Sequence, residues 1–203
     1  MPRTSERGGP QTRARILEVA NRLFLERGYE AVTVAEVARE AGVSSVTVFN
    51  HFARKEDLFL DRAADAADLL RAAVRDHAPG IDVLTSLQDM TFRLSDERAP
   101  LSGLSAHAIP FFRTVAGSPA LIARARAIGS ELQSALAEEL TQDPAFDGDG
   151  GLLAAFFIAG YSAVLVETVS RRIDGEPDEA VAKDHRDRLG RLFTALRDGV
   201  VAR

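Results

Sequence analysis

The chain has 203 residues, no cysteine and a net charge of −5 at pH 7. This length can bury one compact core or two smaller ones, and the lack of cysteine excludes disulfides, zinc fingers and thiol chemistry. The first residues contain no apolar segment typical of a signal peptide, so we expect a cytoplasmic protein. The charge is uneven, because residues 1–60 carry nine basic and eight acidic side chains and the acidic excess lies beyond them.

The sequence predicts helices throughout and no sheet, which is an all-α fold. Residues 1–10 are polar and contain Gly8-Gly9-Pro10, so we expect a flexible N-terminal arm. The first helix is predicted over residues 11–27, because Ile16, Leu17, Ala20, Leu23 and Phe24 share one face at the helical period and Gly28 follows.

Residues 33–52 have the pattern of two short helices joined by a tight turn. Thr33 and Glu36 have the spacing of a capping box. Gly42 stands where the first helix ends, and Ser44 can cap the second helix. Two short helices around a glycine turn also occur in proteins that bind no DNA. The spacing alone therefore leaves a structural hairpin and a DNA-reading helix-turn-helix open.

The second of these helices has one face directed back toward the first and another left outside. Val43, Val48 and Phe52 point inward. A recognition helix presents small polar side chains to the major groove. The outward face of this helix is of that kind, with Ser45, Val46, Thr47, Asn50 and His51.

The residues around this pattern resemble the N-terminal domain of the TetR (tetracycline-repressor-like) family of transcriptional regulators. The resemblance covers residues 11 to about 60 without a gap. It is carried by Thr12, Ile16, Leu17, Ala20, Leu23, Phe24, Gly28, Tyr29, Thr33, Val34, Ala38, Ala41, Gly42, Val43, Ser44, Thr47, His51, Phe52, Lys55, Glu56 and Leu58. It implies a three-helix helix-turn-helix head over residues 11–57 and a C-terminal helical domain for ligand binding and dimerisation over residues 58–203.

The outward face and the family pattern together predict the DNA contacts. Base edges are assigned to Ser45, Val46 and Asn50, since valine suits a thymine methyl group and asparagine can pair with adenine. Phosphate contacts are assigned to Thr33, Ser44, Thr47, His51 and Lys55. Most family members carry tyrosine where this chain has Phe49. Phenylalanine cannot donate a hydrogen bond to phosphate, so we expect Phe49 to pack or stack at the DNA interface.

The rest of the chain is predicted to form six further helices. The first runs from about residue 55 to residue 77 and stops at Pro79-Gly80. The helix that follows Pro100 should break or kink at Pro110. The others are predicted at about residues 81–96, 119–141, 151–173 and 177–200.

The helix at residues 151–173 is apolar nearly all round, so it must be buried on more than one side. An ordinary core within one chain is one explanation. We favour a two-fold dimer in which the last two helices form a four-helix bundle with their copies, as the resemblance also implies. The predicted interface is Phe156, Ala159, Gly160, Ala163, Leu189, Leu192, Phe193 and Leu196.

The middle helices supply many apolar side chains and few polar ones, which is typical of a small-molecule site as well as of plain core. The resemblance favours an effector pocket. Its predicted lining is Met90, His107, Phe111, Phe112, Phe156 and Tyr161.

Other functions have little support in the sequence. It contains no nucleophile elbow, P-loop, dinucleotide-binding or zinc-protease motif. Asp147-Gly148-Asp149-Gly150 resembles the start of a calcium loop, but Ile158 occupies the closing position, so we expect a helix cap and no metal. The longest apolar stretch, residues 151–166, is shorter than the ~20 residues of a membrane span.

We therefore expect a homodimeric, ligand-responsive regulator, most simply a repressor, that needs no cofactor and binds a palindromic operator in double-stranded DNA. A small apolar effector would release it. The alternatives are a DNA-binding regulator controlled by a protein partner and a helical-core enzyme.

Overall fold

The computed structural model describes residues 9–78 and 80–201, and within these it contains nine α-helices and no strand. The prediction of an all-α fold is confirmed. The helices are α1 Gly9–Arg27, α2 Val34–Glu40, α3 Ser45–His51, α4 Ala63–Arg75, α5 Val83–Asp96, α6 Ala108–Ala116, α7 Pro119–Gln142, α8 Gly150–Ile173 and α9 Asp178–Leu196. The predicted flexible arm lies outside the described residues, except that Gly9 and Pro10 already belong to α1.

The chain divides into two compact units. The first contains α1 to α3, the chain that follows them to Asp61, and residues 113–125. Its core is built around Phe24, whose ring lies 5.0 Å from that of Tyr29 and 5.8 Å from that of Phe59. This unit extends to Asp61 and includes a distant segment, whereas the sequence predicted a boundary at residue 57.

Two helix boundaries differ from the predictions for local reasons. A 3-10 turn at Glu56–Leu58 precedes α4, so the helix expected from residue 55 is interrupted. The turn lets the consecutive residues Leu58 and Phe59 both be buried. Pro110 does not break α6, because it lies in the first turn, where the missing N–H has no helical acceptor.

The second unit is a helical bundle with one apolar core. The core is formed by α4, α5, α7, α8 and α9, and its members include Leu70, Val74, Leu84, Leu87, Met90, Leu136, Leu140, Leu153, Phe157, Phe193 and Leu196. Arg172, at the end of α8, is buried and donates to the carbonyl oxygens of Gly103 and Ser105 at 2.8 and 2.9 Å. These bonds satisfy a buried charge and fix the segment that leads into α6.

The helix α8 is long and apolar enough to cross a membrane by length and composition, although the sequence had suggested too short a stretch. The same properties are found in the central helix of a globular bundle. Leu153, Phe157 and Val164 of α8 are buried within the chain's own second unit, and Asp149 caps the helix by accepting from the Leu152 amide at 2.9 Å. The expected cap is confirmed, and α8 serves as a core helix.

The packing of α9 on α8 buries a histidine. His185 Nδ1 lies 2.8 Å from Thr168 Oγ1, and the Thr168 hydroxyl donates to the Val164 carbonyl. Nδ1 must therefore carry the proton that binds Thr168. Nε2 is then a buried acceptor that has no hydrogen-bond partner among the described residues. Burial lowers the pKa of His185 to about 4.

This histidine should make the protein less stable in weak acid. In the unfolded chain the pKa returns to about 6.5, so the unfolded state takes up a proton first as the pH falls. Between pH 7 and pH 5 the free energy of unfolding should decrease by about 2 kcal/mol. Urea denaturation at the two pH values measures this change. His185→Leu should remove most of the decrease and the exposed control His107→Gln should not; equal pH dependence in all three proteins would contradict the assignment.

Candidate nucleic-acid interface

The helix-turn-helix is held by the caps that the sequence predicts. The Thr33 hydroxyl oxygen accepts from the Glu36 amide at 3.2 Å, and the Glu36 carboxylate accepts from the Thr33 amide at 2.8 Å, which completes the capping box. Hydrogen bonds from Arg27 and then from Thr33 lower the pKa of Glu36 to about 2. The carboxylate is therefore ionised at every physiological pH, and the start of α2 remains fixed.

The turn between α2 and α3 depends on one glycine. Gly42 has a φ of +66°, in the left-handed region that favours glycine. The amides of Gly42 and Val43 donate back to Arg39 and Ala38, which ends α2. Ser44 Oγ then accepts from the Thr47 amide at 3.0 Å and begins α3.

The buried and exposed faces of α3 follow the predicted pattern in outline. Val48 and Phe52 are buried. Val46 is 68% exposed and Phe49 is 53% exposed, and Asn50 is exposed as well. The other predicted contacts on this helix, Ser45, Thr47 and His51, are half-buried. An exposed face of two apolar groups and an amide is thus available to base edges.

Several predicted phosphate contacts already have partners within the head. The Lys55 ammonium group donates to the Tyr29 carbonyl at 2.6 Å and lies 4.0 Å from the centre of the Tyr29 ring. Burial lowers the pKa of Lys55. The hydroxyls of Thr33 and Ser44 serve as helix caps. An ammonium group has three donors, so a phosphate contact by Lys55 stays a prediction, but the residue also stabilises the fold.

Two features of the head were not anticipated from the sequence. The Arg13 guanidinium group lies 4.9 Å from the centre of the Phe52 ring, so α1 supports the end of α3 by a cation–π contact. Residues 113–125 belong to this unit, although the family pattern ends near residue 60. Neither feature has a local sequence signal, because both pair residues that are distant along the chain.

The exposure of Phe49 leads to a prediction. Its ring has room around it on the outward face of α3, so an added hydroxyl group should disturb no packing. Phe49→Tyr should leave the fold intact and tighten DNA binding by up to ~1 kcal/mol through one new hydrogen bond to phosphate. Fluorescence anisotropy with a labelled duplex measures the change. A clear loss of affinity in a normally folded variant would contradict the proposed position of the ring.

The predicted effector residues are not enclosed together. Met90 belongs to the core of the second unit, and Phe111 and Phe112 contact each other edge to face at 5.0 Å. Tyr161 donates to the Leu101 carbonyl at 3.1 Å, and burial raises its pKa to about 12. Of the remaining two, Phe156 and His107 are exposed. A separate groove of about 280 Å³ between α4 and α7 is lined by Ala63, Ala64, Ala67, Arg71, Ile128, Glu131, Leu132 and Ala135.

The predicted dimer residues fall into three groups, which are buried, half-buried and exposed. Leu189, Phe193 and Leu196 are buried within this chain, so a single chain does not present them on its surface, and their assignment to the interface stays a prediction. Gly160 faces Leu192, because a Cβ atom added at Gly160 would clash with Leu192 Cδ1. Phe156, Ala159 and Ala163 are exposed. They lie on one face of α8 with the exposed residues Leu152 and Val166.

Residues 16–61 match the family model described as "Bacterial regulatory proteins, tetR family". The regulator TcmR of Streptomyces glaucescens is 28% identical over 158 residues, which are 76% of this chain and 70% of TcmR. The repressor AcnR of Corynebacterium diphtheriae is 38% identical over 77 residues, which are 38% of this chain and 40% of AcnR.

Solved structures show the same fold along most of the chain. NalD, the secondary repressor of an efflux pump in Pseudomonas aeruginosa, has a TM-score of 0.60 and 19% identity over 94% of this chain and 98% of NalD. Thermus thermophilus FadR, a TetR-family repressor solved with lauroyl-CoA, has a TM-score of 0.57 and 24% identity over 94% and 96% of the two chains.

The capped α2–α3 pair, with its exposed face on an all-helical chain, has the geometry of the helix-turn-helix of DNA-binding proteins. Residues 16–61 match the TetR family of transcriptional regulators, and the chain as a whole is similar to the regulator TcmR. The relatives named above are regulators of transcription.

Proposed function

We propose that the protein is a cytoplasmic repressor that binds a palindromic operator as a homodimer and is released by a small molecule. The observation that carries the proposal is the outward face of α3, where Val46, Phe49 and Asn50 are exposed beside a rigidly capped turn. Thymine methyl groups and adenine edges in the major groove fit this set.

A dimer is supported by an apolar stripe on α8, which we define as Leu152, Phe156, Ala159, Ala163 and Val166. Successive members are four, three, four and three residues apart, the spacing of helices that pack side by side. All five are exposed in the single chain. Two copies related by a two-fold axis would cover this stripe with its own counterpart.

Two heads are needed because one head has little net positive charge with which to bind DNA phosphates. Its cations are largely balanced by neighbouring carboxylates, as Arg22 pairs with Glu26 and Glu40 and Arg27 with Glu36. Affinity that comes from phosphate contacts increases with the number of cations that meet DNA. When two weak heads are joined, binding of the first raises the effective concentration of the second at the DNA. The dimer would therefore supply the affinity that a monomer lacks.

A small-molecule effector is supported by relatives. FadR of Thermus thermophilus was solved with lauroyl-CoA and SmeT with triclosan. In this chain the residues predicted to line the pocket are mostly apolar, which favours an apolar molecule with few polar groups. Which of Met90, His107, Phe111, Phe112, Phe156 and Tyr161 contact it stays a prediction.

The proposal is tested with the full chain and the DNA upstream of its own gene. We expect a mobility shift that unlabelled random DNA of equal length does not compete away. Compounds that contain acyl chains or aromatic rings are then added, and one of them should dissociate the complex. Failure to bind any duplex would contradict the DNA-binding role. Specific binding that no compound releases, but that a protein from the same cells does, would favour control by a protein partner.

A further inference from the structure

The segment formed by residues 113–125 lies far along the chain from the helix-turn-helix, yet it belongs to the same unit. It contains the end of α6 and the first two turns of α7. Leu121 is fully buried and anchors the segment there. Two of its polar side chains bind the head at different points.

The first contact joins the segment to the turn between α1 and α2. Ser118 is buried, and its hydroxyl group donates to the Glu30 carboxylate at 2.6 Å. Glu30 lies three residues before Thr33, which caps α2. The contact therefore holds the chain at the entry to the helix-turn-helix.

The second contact joins the segment to the 3-10 turn that follows α3. Arg124 Nε donates to the Asp57 carboxylate at 2.7 Å, and the two side chains are only 15% and 21% exposed. Shielding from water strengthens an ion pair of this kind. Asp57 lies between Lys55 and the buried Leu58, so the contact holds the chain at the exit from the helix-turn-helix.

We propose that Ser118 and Arg124 are positioning residues for DNA binding, which fix the orientation of α2 and α3 by holding the turns on either side of them. The inference rests on the proposed function. Specific binding requires α3 to meet base edges in one orientation, whereas non-specific binding depends mainly on charge. Loss of these contacts should therefore weaken specific binding more than random binding.

Asp57→Asn gives the sharpest test, because the lost negative charge and the lost contact with Arg124 should change DNA affinity in opposite directions. Removing a negative charge from the head should by itself tighten binding to DNA. A loss of positioning should weaken binding to a duplex selected from random DNA by the wild-type protein, by about 2–30-fold. The matched control is Glu18→Gln, which removes the same charge from an exposed position on α1. It should bind as well as the wild type or slightly better.

Arg124→Ala should weaken binding to the selected duplex to a similar extent, and Arg124→Lys should restore part of the loss. The control Arg126→Ala removes the same charge from an exposed position two residues further along α7 and should have little effect. In the double variant Asp57→Asn/Arg124→Ala the loss should be smaller than the sum of the two single losses, because both changes break the same contact. If Arg124→Ala fails to fold, Asp57→Asn tests the same contact with nearly unchanged side-chain size.

Hydrogen exchange provides a readout without DNA. Arg124→Ala should speed exchange of the amides at residues 54–60, and Ser118→Ala should do so at residues 28–33. If the wild type selects no duplex, both the proposed function and this inference are contradicted. If the wild type selects a duplex, and Asp57→Asn binds it as tightly as Glu18→Gln does, this inference alone is overturned.

Discussion

Phe156→Asp is expected to abolish operator binding while the chain stays folded. The side chain is 53% exposed in the single chain, so aspartate can remain in water there. In a dimer the same position lies in the apolar stripe, where an unpaired carboxylate would have to be buried. The variant should be a monomer, and losing the second head should reduce affinity by ~100-fold or more. Sedimentation and anisotropy measure the two effects.

The matched control is Ile81→Asp, which places the same charge on an exposed apolar residue outside the stripe. It should remain a dimer and bind DNA normally. Gly160→Glu is less informative, because the contact with Leu192 makes any side chain there disturb the packing of α9 on α8. A Phe156→Asp protein that sediments as a dimer, or a wild type that is monomeric at micromolar concentration, would contradict the proposed interface.

Asn50→Ala is expected to cause the largest change in sequence preference. The amide is exposed on α3 and can form two hydrogen bonds to one adenine. Its loss should cost ~1–3 kcal/mol on the operator and leave affinity for random DNA almost unchanged. Preference for one base pair in each half-site should disappear.

The control is Asn21→Ala, which changes the chain's other asparagine on α1. It should affect stability slightly and sequence preference not at all. If Asn50→Ala reduced affinity for operator and random DNA equally, Asn50 would contact phosphate and not a base. Lys55→Ala is a poorer comparison than the sequence suggested, because Lys55 also binds the Tyr29 carbonyl.

The helix-turn-helix was predictable from the sequence because its signals are local. Thr33 with Glu36, the glycine at position 42, and Ser44 each act within three or four residues. The helical period then decides which side chains of α3 are buried, and Val48 and Phe52 were assigned correctly. The number of helices and most of their ends follow from the same kind of signal.

Features that depend on distant residues could not be predicted in this way. Apolar spacing on α9 does not reveal whether Leu189 and Phe193 face their own chain or a copy, and they face their own chain. A 3-10 turn at Glu56–Leu58 and a later start of α4 at Ala63 replace the single helix that residues 55–77 alone favour. The contacts of Ser118 and Arg124 with the head join positions 88 and 67 residues apart.

The most direct test of the account is selection of duplexes from random DNA by the wild type and by Asn50→Ala, followed by sequencing. We expect the wild type to enrich an inverted repeat whose half-sites lie roughly 34–36 Å apart or somewhat more, because two α3 helices on a two-fold axis enter successive major grooves. Asn50→Ala should enrich the same repeat with one base pair relaxed in each half. Enrichment of no inverted repeat, or of an identical motif by both proteins, would contradict DNA reading by α3.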